Sequence, residues 1–245
     1  MSVLLTRVAA ARYAAPVTRN ATAASRNARA PKTLGALLPL NLMPPCQPES
    51  SSMPNPVTPS AAHAIAETRA WVDRAVIGLN LCPFAKAVQV KGQVRYVVCA
   101  SAEPADLLSA LIDELHALAN VEPSETDTTL LIHPAALNDF LDFNDFLAVV
   151  DDTVEDLGYS GILQVASFHP QFQFADTHVN DVSNATNRAP YPTLHILRET
   201  SIDRAVAAFP EPEAIFDANI DTLKQLGSDG WAALQAQCRK DAQDS

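Results

Sequence analysis

A chain of 245 residues, 48% hydrophobic and 18% charged, is long enough for one sizeable core. Its formal net charge of -11 argues against nonspecific binding to nucleic acid or to an anionic membrane, since both reward clustered Lys and Arg. The charge is unevenly spread: residues 1–52 carry Arg7, Arg12, Arg19, Arg26, Arg29 and Lys32 against Glu49 alone, while the remainder is strongly acidic.

Residues 1–57 are rich in Ala, Arg, Ser, Thr and Pro and have no sustained apolar period, a composition that reads as disordered. The Arg-rich, acid-poor start also resembles an organellar transit peptide, and a true translation start at Met53 is the third and favoured reading. The extension lacks the apolar core of a secretory signal, and no segment reaches the roughly 18 apolar residues of a membrane span. The expectation is a soluble, cytoplasmic protein. Cys46, Cys82, Cys99 and Cys238 are far apart with no CxxC pair, so neither a disulfide framework nor a structural zinc site is indicated.

From residue 58 to about 240 the pattern is that of a single domain. Ser60 is placed to cap a helix whose apolar positions Ile65, Trp71, Val72, Ala75, Val76 and Leu79 follow a three-and-four spacing, ending near 78–81. Pro83 stops it, LCPFAKAVQVKG reads as a loop, and VRYVVCA follows Gly92 as a strand. A helix over 104–120 puts Leu107, Leu108, Leu111, Ile112, Leu115 and Leu118 on one face. TTLLIHP is a buried strand, residues 137–158 a long helix stopped at Gly158, and GILQVASFHP a second buried strand. That succession predicts a parallel pair joined by a crossover. TLHILRE is a fourth strand, and helices follow over 202–209, 213–226, closed by Gly227, and 229–238. The predicted class is α/β, with α+β the alternative: one domain with a small mixed sheet of about four strands covered by helices.

Two strands end in the same dipeptide, His133-Pro134 and His169-Pro170. On strands running the same way, both imidazoles emerge on one rim, about 5 Å apart for neighbours or 10 Å with a strand between. Open α/β sheets bind ligands at the carboxyl rim, so His133 and His169 are candidate acid–base groups; the alternative is that each caps a strand edge and faces water. Residues 171–192 connect two strands over far more chain than a hairpin needs, which marks a functional or a disordered segment. Phe172, Phe174 and Tyr191 are suited to anchor it, and Asn180, Asp181, Asn184, Asn187 and Arg188 offer groups for a polar ligand. Arg188 pairs either with a bound anion or with a local carboxylate. Cys82 is a packed thiol or, beside an imidazole, a nucleophile. His169, Asp176, His178, Asp181 and His195 supply donors for a metal but match no recognised ligand spacing. Asp139, Asp142 and Asp145 read as a solvated helical face. His63, His116 and Trp71 read as structural. No Walker loop, GxGxxG, GxSxG or HExxH occurs.

The segments GLNLCPFA, LLIHP, SFHPQFQF and NRAPYPTLHILRE resemble those of an uncharacterised bacterial family, domain of unknown function 1415, over roughly residues 64–234. The resemblance implies that Cys82, His133, His169, Asn187, Arg188, Pro190 and Tyr191 belong to characteristic segments, and it implies no activity. From the residues, the leading expectation is an intracellular enzyme, or former enzyme, for a small polar or anionic metabolite. Its candidate catalytic residues are His133, His169 and Cys82, and its candidate ligand-binding residues are Arg188, Asn187, Asp181 and Tyr191. The alternatives are a divalent-metal site on the same histidines or a non-enzymatic interaction module using the aromatic loop residues. A small-molecule partner is expected, and no metal, cofactor or oligomeric state is assigned.

Overall fold

The computed structural model describes residues 58–208 and 214–244; the extension read over 1–57 lies outside the described residues. Four strands form one open sheet in the order β1-β2-β4-β3: β1 (Val94–Val98), β2 (Thr128–Ile132), β3 (Leu163–Phe168) and β4 (Thr193–Arg198). β1 and β2 are parallel, joined by α3 (Pro104–Asn120), whereas β4 is antiparallel to both β2 and β3. The expected parallel pair of β2 and β3 is therefore corrected. The two strands run in the same direction, but β4 is inserted between them. Residues 169–192 give the chain the length to turn back into that gap, where Leu194 and Ile196 become fully buried.

Alternation along the strands divides the core into two layers. One face carries Leu131, Leu163, Leu194 and Ile196 and packs under α3 and α4 (Phe140–Asp156), whose Leu107, Leu111, Leu115 and Phe143 have no exposed surface. The other face carries Val94, Tyr96, Leu130 and Phe168. It packs under α1 (Ala61–Trp71) and the C-terminal α6 (Ala214–Gln243) through Trp71, Val76, Leu223 and Trp231. Two further helices, α2 (Ala85–Val90) and α5 (Glu199–Ala207), flank the sheet.

Local chemistry places the ends. The Ser60 hydroxyl accepts the amide of His63 at 3.2 Å, capping α1, which continues as a wider helical turn over Val72–Ile77 to Gly78. A Cβ on Gly78 would lie 2.2 Å from the Arg74 carbonyl, so only glycine fits there. Asp139 caps α4 by accepting the amides of Leu141 and Asp142. The two C-terminal helical segments are separated at Gly227 (φ 71°), the position expected to close the first of them. Two elements differ from expectation. LCPFAKAVQVKG contains α2 rather than only loop, and the polar connection contains a 3₁₀ helix over Val182–Asn187. Both are only six residues long, too brief to carry an apolar period.

Arg198 ties the two ends of the α3–β2 connection to the sheet. Its Nη2 donates to the carbonyls of Leu118 (2.8 Å), Val121 (2.6 Å) and Thr126 (3.1 Å). The side chain is 8% exposed, so it serves as an internal staple.

Candidate functional site

His133 and His169 do lie at one rim, each just beyond the end of a strand and separated by β4, whose Thr193 pairs with both Ile132 and Phe168. Both rings face α4. Phe143 sits against each, with centroids 5.6 Å from His133 and 5.2 Å from His169, the latter stacked. Neither histidine has any exposed surface, so the alternative that each caps a strand edge and faces water is corrected. The Pro that follows each does end the strand, but the chain folds over the rings. Nδ1–H of His133 donates to the Ala136 carbonyl (3.0 Å), and Nε2–H of His169 donates to that of Leu137 (3.3 Å), while His169 Nδ1 accepts the Gln171 amide (3.0 Å). Burial lowers both pKa values from 6.5 to about 4, holding the rings neutral at pH 7.

The connection from β3 to β4 is ordered by its own polar groups. Asn184, fully buried, accepts the Phe174 amide and the Thr177 hydroxyl through Oδ1 and donates to the His178 carbonyl through Nδ2. Asp181 caps the 3₁₀ helix by accepting both the amide and the hydroxyl of Ser183, which lowers its pKa. The Arg188 guanidinium is turned to backbone: Nε donates to the Phe172 carbonyl (3.0 Å) and Nη2 to that of Val179 (2.8 Å). Desolvation lowers its pKa. The Asn187 carbonyl accepts the His169 amide, and the Tyr191 hydroxyl donates to buried Glu67 at 2.5 Å; burial and that carboxylate raise the tyrosine pKa. Phe172 is 4% exposed and packs against Phe140 and Phe174, which makes it an anchor rather than a contact for a partner. Much of the long connection's polar chemistry is thus spent on its own backbone, through Asn184, Asp181 and Arg188.

A cavity of about 630 Å³ lies on the opposite side of the sheet. Its interior is apolar, with Trp71, Leu81, Leu130, Phe168, Ile202 and Ile215 among its walls, and Cys82 joins them. His133, His169 and Arg188 do not line it, so Cys82 and the rim histidines belong to different faces. The imidazole that shares the cavity with Cys82 is His195, in the middle of β4.

His195 is wired to the sheet on one side only. The Thr128 hydroxyl donates to the Ile196 carbonyl (2.6 Å), so its oxygen accepts Nε2–H of His195 at 2.7 Å. That leaves the lone pair on Nδ1, which is buried and has no hydrogen-bond partner among the described residues. Trp71, 3% exposed and edge-on to Phe168, likewise has a buried Nε1–H with no partner among the described residues. Burial pushes the His195 pKa well below its ordinary value. Two residues of the cavity walls, Trp71 and His195, thus each carry a buried ring nitrogen unmet among the described residues, at a cost of about 1–3 kcal/mol each if left so.

From the sequence, His195 stands out only as one of several scattered metal donors. The available signal was a lone polar ring inside the apolar run TLHILRE, which on a strand buried on both faces must meet a partner or a ligand. Among the described residues, no group of three or more His, Cys, Asp or Glu side chains is arranged to hold a metal ion, so the donors of the loop are not gathered as such a site requires. No helix among them is long and apolar enough to cross a membrane. No curated protein and no solved structure matches the chain. Residues 63–233 match the family described as a protein of unknown function (DUF1415), and the chain belongs to that family.

Proposed function

We propose that this member of the DUF1415 family takes a small molecule into the cavity on the α1 side of the sheet, with Trp71 and His195 meeting its polar group. The observation that carries the reading is that two residues lining an otherwise apolar cavity, Trp71 and His195, hold ring nitrogens, one donor and one acceptor, that are unmet among the described residues. A hydroxyl or a primary or secondary amide has the chemistry to meet either nitrogen, since each can give and receive a hydrogen bond. The ligand is thus less polar than the metabolite expected from the rim, and the rim histidines support the fold beneath it. The described thiols Cys82, Cys99 and Cys238 are free, which suits action in the reducing cytoplasm.

The test is a thermal-shift screen of the full chain against small alcohols, phenols and amides. At least one compound with an apolar body is expected to raise Tm, and His195→Phe, which keeps the ring but removes Nδ1, should weaken it about ten-fold. Hits whose affinity is unaffected by His195→Phe, or no hit at all, would refute the reading.

Catalysis by Cys82 is the second reading, because thiol and imidazole line one cavity. Its electrostatics are poor: an imidazole held neutral by burial does not supply the positive charge that stabilises a thiolate. Alkylation of Cys82 by iodoacetamide at pH 7 is therefore expected to proceed within about two-fold of the same rate in His195→Gln. A much slower variant would restore the thiol as a nucleophile.

A further inference from the structure

The polar side chains lining the cavity are not spread evenly. Apart from His195 and Cys82, they gather where β1 and β2 begin and β4 ends: Lys91, Gln93, Ser124, Asp127, Ser201 and Arg204. Lys91, Ser124 and Arg204 are exposed there, whereas Trp71, Leu130 and Phe168, at the far end, are nearly fully buried. The cavity is therefore amphipathic along its length, with a wet mouth and a dry interior.

The mouth carries two cations and one carboxylate. Asp127 already accepts the Ser201 hydroxyl (2.7 Å), and Ser201 Oγ in turn accepts Nη2 of Arg204 (2.9 Å), so this carboxylate is partly engaged. Neither Lys91 nor Arg204 forms an ion pair with a carboxylate among the described residues, in contrast to Arg74 with Asp241 and Arg95 with Glu114. Local excess positive charge is unusual beyond residue 52, where the chain is strongly acidic. Elsewhere the acidic surface repels an anion; at this opening it meets two long cationic side chains able to close over it.

We infer that the ligand is an amphipathic anion: an apolar body in the Trp71–Leu130–Phe168 interior and an anionic head group held between Lys91 and Arg204 at the mouth. This deepens the binding reading above and rests on it. The neutral hydrogen-bonding atoms of Trp71 and His195 then meet a hydroxyl or amide along the body, while the head group stays partly in water, where its desolvation cost is small.

The probes are decanoate, 1-decanol and decyltrimethylammonium, each below its micellar concentration, with full-length Cys46→Ser protein. Occupancy is read as protection of Cys82 from iodoacetamide, since Cys99 and Cys238 are buried and Cys82 is only partly so. Decanoate is expected to protect at a concentration about ten-fold lower than decanol, and the ammonium to protect least. The double variant Lys91→Ala/Arg204→Ala should remove the advantage of decanoate and leave decanol unchanged. Equal protection by decanol and decanoate, or a decanoate advantage that survives the double variant, overturns the anionic assignment and leaves the cavity as a binding site. Failure of all three probes overturns both. Protection that rises with protein concentration and ignores the additives identifies a second copy of the chain as the occupant, and also overturns the inference.

Discussion

Acidification from pH 7 to pH 4 is expected to remove most of the stability of this fold. His133 and His169 are neutral and fully buried in the native protein, with pKa values of about 4, against 6.5 for an unperturbed histidine. In the unfolded chain both take up a proton as pH falls through 6.5, whereas in the folded chain they resist until about pH 4. Between those limits the unfolded state binds more protons, so stability is complete above pH 6.5, declines as pH falls, and levels off below about 4. The size is about 3 kcal/mol per ring, not strictly additive, because charge on one disfavours charge on the other across Phe143. Set against a total of about 5–15 kcal/mol for a typical domain, that approaches unfolding. His195 acts in the same direction. Urea titrations at half-unit pH steps check the claim: a midpoint unchanged between pH 6.5 and 4.5 in the wild type would refute it. So would an equally steep decline in a His133→Gln/His169→Gln variant.

Replacing Phe143 by alanine should cost about 3–5 kcal/mol, among the largest effects of any single change. The ring has no exposed surface and fills the space between the two imidazoles while contributing to the α3–α4 side of the core. Phe143→Leu, which keeps most of the volume, should cost about 1–2 kcal/mol. A second consequence separates this role from simple cavity formation. With the aromatic spacer gone, the rings gain room for water, their pKa values rise toward 6.5, and the acid sensitivity shrinks. Proton chemical shifts of the two rings across pH, together with urea midpoints, would measure both. A loss under 1 kcal/mol, or histidine titrations unchanged in Phe143→Ala, would show that Phe143 does not hold the pair.

These expectations give the repeated His-Pro ends of β2 and β3 a supporting part in the fold. The same reasoning bears on Arg188 and Asp181. In the sequence they were candidates to hold a ligand; in the fold their polar atoms meet the Phe172 and Val179 carbonyls and the amide and hydroxyl of Ser183. A connection with little apolar surface of its own must satisfy its backbone with side chains, and residues 171–192 carry the Asn, Asp and Arg to do that.

Much of the architecture was legible in the chain because it is written in local periodicity. The helix over 104–120 and the four strands follow from apolar spacing, Ser60 from capping, and Gly227 from its place after a helix, none of which needs a distant residue. What lay beyond it was pairing across long separations. No local signal says that β4 enters between β2 and β3, and that insertion leaves the two histidines a strand apart, both against Phe143. Nor does spacing along the chain bring Trp71, Cys82, His195 and Arg204 around one space, because they come from α1, the turn after it, β4 and α5. The sequence by itself determined which segments are helix and strand and which faces are apolar. Only the tertiary structure decided which polar groups are spent on the fold and which remain unmet, since a buried donor or acceptor is defined by neighbours the chain brings to it from far away.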